Sequence, residues 1–145
     1  GQPVTGWISP ARSESMNTLD LVAAEGVKYV ADWVNDDMPY RLRTAAGDIH
    51  SMPHAHEITD QHIINHMSQS SVEFTEQVCA HFDVLYREAA TQGGRIMTLT
   101  LHPWCSGQPH RIKALEDVLA HIARHESVWS ATGAEILSVF QAQSD

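Results

Sequence analysis

Strand-like and helix-like patterns alternate along this chain, which predicts an α/β fold with a mainly parallel sheet and helices packed over it. Two stretches carry most of that reading. Residues 96–101 (IMTLTL) form an uninterrupted strand-type run, and Phe74, Val78, Phe82, Leu85, Tyr86 and Ala89 recur at the spacing of one helix face. A complete (β/α) barrel takes about 250 residues, and this chain has 145. The pattern is therefore that of a barrel fragment or a small open sheet, in a single domain over residues 1–145.

Each element has a local reason. Trp7-Ile8-Ser9 is a short apolar run stopped by Pro10 and reads as a strand end. Asn17 or Thr18 caps a short helix that carries Leu19, Val22 and Ala23, with Gly26 as its stop. Residues 27–33 (VKYVADW) are β-branched and aromatic, as in a buried strand. Asn35-Asp36-Asp37-Met38-Pro39 is a loop, and residues 49–53 are a further short strand. A short helix follows Asp60, with Ile63, Ile64 and Met67 inward. Ser70 and Glu73 have capping-box spacing and open the long helix, which Gly93-Gly94 ends. Beyond strand 96–101, Pro109 suits the first turn of a helix whose buried stripe is Ile112, Leu115, Val118, Leu119 and Ile122. Residues 128–131 are a last strand. Thr132 and Glu135 form a second capping box before Ile136, Leu137 and Phe140.

Composition narrows the function. Nine Lys and Arg stand against 18 Asp and Glu, a formal charge of −9. Such a surface repels phosphate backbones, so no nucleic-acid partner is expected. No run approaches the ~20 apolar residues of a membrane span, so no membrane partner is expected. A charged-then-apolar leader is also missing, which points to a cytoplasmic location. Cys79 and Cys105 show no CxxC spacing and suit a reduced compartment. Cys105 reads as an unreactive thiol in a loop.

In α/β folds ligands gather at the C-terminal ends of the strands. Here those ends carry Ser9-Pro10, Asp32-Trp33, residues 53–56, His102 and Thr132. An Asp and a His on neighbouring strand ends are able to act as a charge-oriented general acid or base. The alternative is that Asp32 caps a turn and His102 satisfies a local carbonyl. His54, His56, Glu57 and Asp60 have residue types that zinc accepts, but HxH is short and common, and a solvated loop is the alternative. His62 and His66 are four apart without an HExxH pattern. His121 and His125 share that spacing and are expected on a solvated helix face. Trp33, Tyr40 and Trp104 are aromatic platforms suited to a sugar ring, a flat heterocycle or a core.

Several ordered segments resemble the later motifs of polysaccharide deacetylases, nearest the branch with the cofactor-independent, allantoinase-like enzymes. They are Gly6-Trp7-Ile8-Ser9-Pro10, the stretch from Asp32-Trp33 to Pro39-Tyr40, and Leu99-Thr100-Leu101-His102-Pro103. Phe82-Asp83-Val84-Leu85-Tyr86, Gly107-Gln108-Pro109-His110-Arg111 and Val128-Trp129-Ser130-Ala131-Thr132 support them. The resemblance covers about residues 6–140 and implies roughly the C-terminal half of a distorted (β/α) barrel that hydrolyses C–N bonds in N-acetyl sugars or cyclic amides. It implies that His102 protonates the leaving amine, that Asp32 orients that site, and that Trp33 lines the groove. Pro53, Glu57 and Asp60 fall where the allantoinase-like branch has a Pro-Tyr…Glu…Asn-Asp stretch, with His54 and Thr59 as departures.

The family's first two motifs, which supply the base and the ligands of a divalent metal such as zinc, have no counterpart here. No metal is therefore expected on this chain itself. The resemblance leaves two readings: a deacetylase-like fragment, inactive alone because the metal-binding half is absent and active only if another chain completes the site, or a non-catalytic binding or structural module from a truncated gene that self-associates through an exposed sheet edge. A sugar or small amide is the expected ligand. Removing the first strands of a barrel exposes a sheet edge, which is usually covered or paired. A homodimer, or association with a complementing N-terminal half, is the expected consequence.

Overall fold

The sheet is made of very short strands, because β-branched and aromatic residues here come in brief clusters. In the computed structural model, which describes residue 1 and residues 3–144, the strands are β1 (Gly6–Trp7), β2 (Tyr29–Val30), β3 (Tyr40–Thr44) and β4 (Gly47–Ser51). The helices are α1 (Thr18–Ala24), α2 (Ser71–Gln92), α3 (Ile112–Ala123) and α4 (Gly133–Ser144), with a 3₁₀ turn at Pro10–Arg12 and a widened turn at Gln61–His66. The chain divides into two compact units. Unit 1 comprises Gly1–His54 and Ser130–Asp145, and unit 2 comprises Ala55–Trp129.

Unit 1 holds the whole sheet, in the order β1-β2-β4-β3. The pairs β1/β2 and β2/β4 are parallel, and β3/β4 is an antiparallel hairpin. The fold is thus mixed α/β, with parallel pairing in two of three ladders. Strand β3 is an addition to the sequence expectation. Its Tyr-Arg-Leu-Arg-Thr alternation keeps Tyr40 and Leu42 half-buried and turns Arg41 and Arg43 to solvent. Val30 and Ile49 are fully buried in a core with Val22 and Val27, and α1 packs beside it through Leu19 and Ala23. Each such burial contributes about 1.5–3 kcal/mol. A Cβ on Gly6 would lie 2.2 Å from the Tyr29 ring and one on Gly133 would lie 2.5 Å from its hydroxyl. These two glycines therefore let α4 and β1 close on that ring.

Unit 2 is helical around Ile58, Ile63, Ile64, Phe74, Val78, Cys105, Ala114 and Val118. The Ser70–Glu73 capping box forms as expected, and Gly93 ends α2. Thr132 and Glu135 form the second box at the start of α4 in unit 1.

Four expectations are corrected. Residues 96–101 join no ladder, because unit 2 has no strand among its described residues to pair with. Met97, Leu99 and Leu101 still pack on the core with strand-like alternation. Residues 128–131 form no strand, and Val128 and Trp129 are exposed. Met67 is exposed, since the widened turn buries the adjacent pair Ile63 and Ile64 instead. In α3 the buried positions are Ala114 and Val118, while Ile112 and Leu119 face solvent. Among the described residues, no helix is long and apolar enough to cross a membrane.

Candidate active site

Two buried aspartates organise the polar interior, one in each unit. Asp60 stands at the head of the widened turn in unit 2. Thr59 Oγ1 accepts from the His62 amide at 3.1 Å, and the His62 carbonyl accepts from the Met67 amide at 2.9 Å, five residues on. Widened turns of this kind are uncommon and often accompany functional sites. The turn places the Asp60 carboxylate beneath the segment that ends in His102.

Asp60 has no solvent exposure. Its Oδ1 lies 2.6 Å from His102 Nδ1 and accepts the Gln61 amide at 2.7 Å. Its Oδ2 accepts the amides of His102 at 2.8 Å and Ser106 at 3.3 Å. Burial alone would raise this carboxyl. The bonds from the His102 ring and amide, then from Ser106 and Gln61, outweigh it and hold Asp60 below its usual value. A carboxylate on Nδ1 favours the tautomer with the proton there, which leaves Nε2 as the working nitrogen. The His102 side chain keeps 29% of its surface exposed. The Trp104 ring meets it edge-on at 5.6 Å and is itself largely exposed.

The loop after His102 is built to hold this geometry. The His102 carbonyl accepts the amides of Cys105 at 2.8 Å and Ser106 at 3.1 Å, which closes a turn. A Cβ on Gly107 would lie 2.4 Å from the Pro103 carbonyl oxygen, so only glycine fits there. Cys105 is fully buried. Burial first, and the Asp60 charge second, push its thiol upward, so it is a poor nucleophile as expected.

In unit 1, Asp32 is 5% exposed and Ser9 is equally buried. Asp32 Oδ1 accepts the Ser9 amide at 2.6 Å and Oδ2 accepts the Ser9 hydroxyl at 3.0 Å. Trp7 Nε1 donates to the same hydroxyl at 3.1 Å. Trp33 Nε1 donates to Glu14, and the Tyr40 hydroxyl donates to Asn35 at 2.9 Å.

Each unit holds its own pair: Asp32 with Ser9 in unit 1, and Asp60 with His102 in unit 2. Asp60, expected to touch substrate, is instead sealed beneath His102. Glu57 is exposed. The Asp60–His102 partnership spans 42 positions, and no local spacing signals it. Among the described residues, His54, His56, Glu57 and Asp60 do not assemble a three-ligand cluster, and Asp60 is occupied by four N–H donors. The His56 and His62 rings lie 4.8 Å apart. His121 and His125 are half-buried against Phe82 rather than solvated. A shallow apolar depression in unit 1, lined by Pro3, Val4, Leu21 and Val27, contains none of the expected site residues.

No model of a known protein family matches the chain. A Schizosaccharomyces pombe protein assigned as a polysaccharide deacetylase is 29% identical over 123 residues, covering 78% of this chain and 38% of its own. The crystal structure of PuuE allantoinase matches with a TM-score of 0.82 at 27% identity, over 94% of this chain and 46% of that one. A Pseudomonas aeruginosa PAO1 structure assigned as a polysaccharide deacetylase matches with a TM-score of 0.81 at 28% identity, over 95% and 46%. The chain is similar to polysaccharide deacetylases and an allantoinase, and it spans less than half the length of each of these relatives.

Proposed function

We propose that this chain carries the acid arm of a deacetylase-like hydrolase of non-peptide C–N bonds, with His102 as proton donor and Asp60 as the residue that positions it. The observation that supports this most is the 2.6 Å contact between Asp60 and His102 Nδ1. Breaking a C–N bond needs a proton on the departing nitrogen. An imidazolium held through Nδ1 delivers one from Nε2, and the buried carboxylate stabilises the charged ring until transfer. Trp104 offers a partly exposed ring beside the His102 imidazole, suited to the face of a sugar or a flat cyclic amide. The likeness to deacetylases and an allantoinase supports those two substrate classes. Asp32, Trp33, Tyr40 and Glu57 belong to the proposal on motif resemblance.

A divalent metal, which the resemblance implies for deacetylases, takes about three protein ligands when it activates water. The residues around His102 do not fit one. Among the described residues, no group of three ligand side chains includes His102, and Cys105 is buried with its thiol pushed upward. No step is therefore routed through a metal at this position.

We also read the chain as the C-terminal half of a deacetylase-type barrel that pairs with a second copy or with an N-terminal half. The unladdered segment 96–101 and the exposed Val128 and Trp129 support this. Pairing with a second copy should show as a dimer in sedimentation at micromolar concentration, and a monomer would contradict that self-pairing.

The acid role is tested by adding N-acetylated sugars and allantoin to the chain, with zinc, manganese or cobalt present. Ring-nitrogen shifts of His102 and turnover are followed together. The expected result is a substrate-dependent shift at His102 in the chain alone, and turnover only once an N-terminal half is added, falling about 10²–10⁴-fold in His102→Ala. Turnover that survives His102→Ala, or substrate that binds without touching His102, would sink the reading.

A further inference from the structure

A second polar cluster in unit 2 takes no part in that chemistry. His121 lies in the last turn of α3, His125 lies just beyond its end, and their ring centroids are 5.0 Å apart. Asp83 reaches them from α2. One ligand atom from each of the three residues can be chosen so that all lie within 4.8 Å of one another. His121 Nε2 is already 2.6 Å from Asp83 Oδ1.

The surroundings fix these rings more than a solvated pair requires. His125 Nδ1 lies 2.9 Å from the His121 carbonyl oxygen, an acceptor that places the proton on Nδ1 and leaves the Nε2 lone pair free. Holding one ring nitrogen on a backbone carbonyl is the usual way an imidazole is set up as a metal ligand. The Phe82 ring packs edge-on against both imidazoles, at 5.8 and 4.9 Å, and Tyr86 packs against His125 at 4.8 Å. Tyr86 is itself tied by its hydroxyl to the Glu126 carbonyl at 3.1 Å. The cluster remains reachable, with 29% of the His121 side chain and 48% of the Asp83 side chain exposed.

We propose that Asp83, His121 and His125 form a binding site for a divalent transition metal of the zinc class, which clips α2 to α3. Two imidazoles and one carboxylate suit zinc, nickel or copper and disfavour magnesium and calcium, which prefer all-oxygen shells. Tetrahedral zinc with bonds of about 2.0–2.1 Å needs ligand atoms about 3.4 Å apart, a closure that side-chain rotation supplies. Zinc takes the place of the proton between His121 Nε2 and Asp83 Oδ1, and a neutral His121 ring carries that proton on Nδ1 instead. Three protein ligands leave a fourth position for water.

The probe is zinc chloride added to the full chain, followed by calorimetry, thermal unfolding and ring-nitrogen NMR. The expected result is one zinc per chain at this site, a higher Tm, no response to magnesium, and shifts at His121 and His125 Nε2. His121→Gln with His125→Gln should abolish the Tm rise, and Asp83→Asn should weaken binding about tenfold or more. His56→Gln with His62→Gln should leave it unchanged. Zinc binding retained in the His121/His125 double variant, an equal response to magnesium, or wild-type ring nitrogens unmoved by zinc would each overturn the proposal. The NMR result on the wild type decides the matter even if the double variant fails to fold.

Discussion

Asp32 in unit 1 and Asp60 in unit 2 are both buried carboxylates, yet they hold different kinds of partner. Asp32 receives an amide and a hydroxyl from Ser9, groups that keep their protons at neutral pH. It acts as a rivet between the ends of β1 and β2. Asp60 receives three amides and an imidazole. Its fourth partner is an imidazole that keeps part of its surface in solvent and has a second nitrogen to offer. The lesson is that burial and hydrogen-bond saturation do not separate a structural carboxylate from a positioning one. The partner's chemistry does.

The comparison breaks first, if it breaks, on stability. Asp60→Ala leaves an imidazole and three amides without their acceptor and should cost about 3–5 kcal/mol, the scale of a buried pair that loses one member. Asp32→Ala strands mainly the Ser9 amide and should cost about 1–3 kcal/mol. Urea midpoints at constant m-value measure both. Equal losses would show that His102 adds nothing to the hold on Asp60.

Acid sharpens the same contrast. Asp60 is depressed below its usual 3.8, so its contribution is complete above that value and disappears as pH falls through the lower folded value. Wild-type stability should therefore fall on acidification below about pH 4, and Asp60→Asn should show a shallower fall. Parallel acid limbs for the two proteins would contradict the hydrogen-bond account of Asp60.

The smallest effects are those at helix starts. Ser70→Ala in unit 2 and Thr132→Ala in unit 1 each remove a capping box and should each cost about 1 kcal/mol in chemical denaturation. A much larger loss at one of them would mean that its unit depends on that helix more than its packing indicates.

What could be read beforehand follows the range of the interactions. Capping boxes, the stripe of α2 and the stop at Gly93 are local and appear as expected. Strands are not local. Residues 96–101 have the composition and the alternation of a strand, but a ladder needs a neighbour, which unit 2 does not supply among its described residues. Strand β3 is not legible in the sequence because its two arginines mask the Tyr40–Leu42 alternation. At the site, strand order and motif resemblance brought out His102 and Asp32, yet the partner of His102 lies 42 positions away. The motif resemblance places Asp60 among the substrate contacts, whereas the structure buries it completely. The Asp83–His121–His125 cluster joins two helices, and helical spacing alone suggested a solvated face.

The central claim is that Asp60 holds His102 by Nδ1 so that Nε2 faces outward as the working nitrogen. Long-range ¹H–¹⁵N correlation of the His102 ring near neutral pH tests it directly. The neutral ring should carry its proton on Nδ1, with that proton strongly deshielded, and Asp60→Asn should return it to the common Nε2–H form. A wild-type His102 already protonated on Nε2 when neutral would contradict the account.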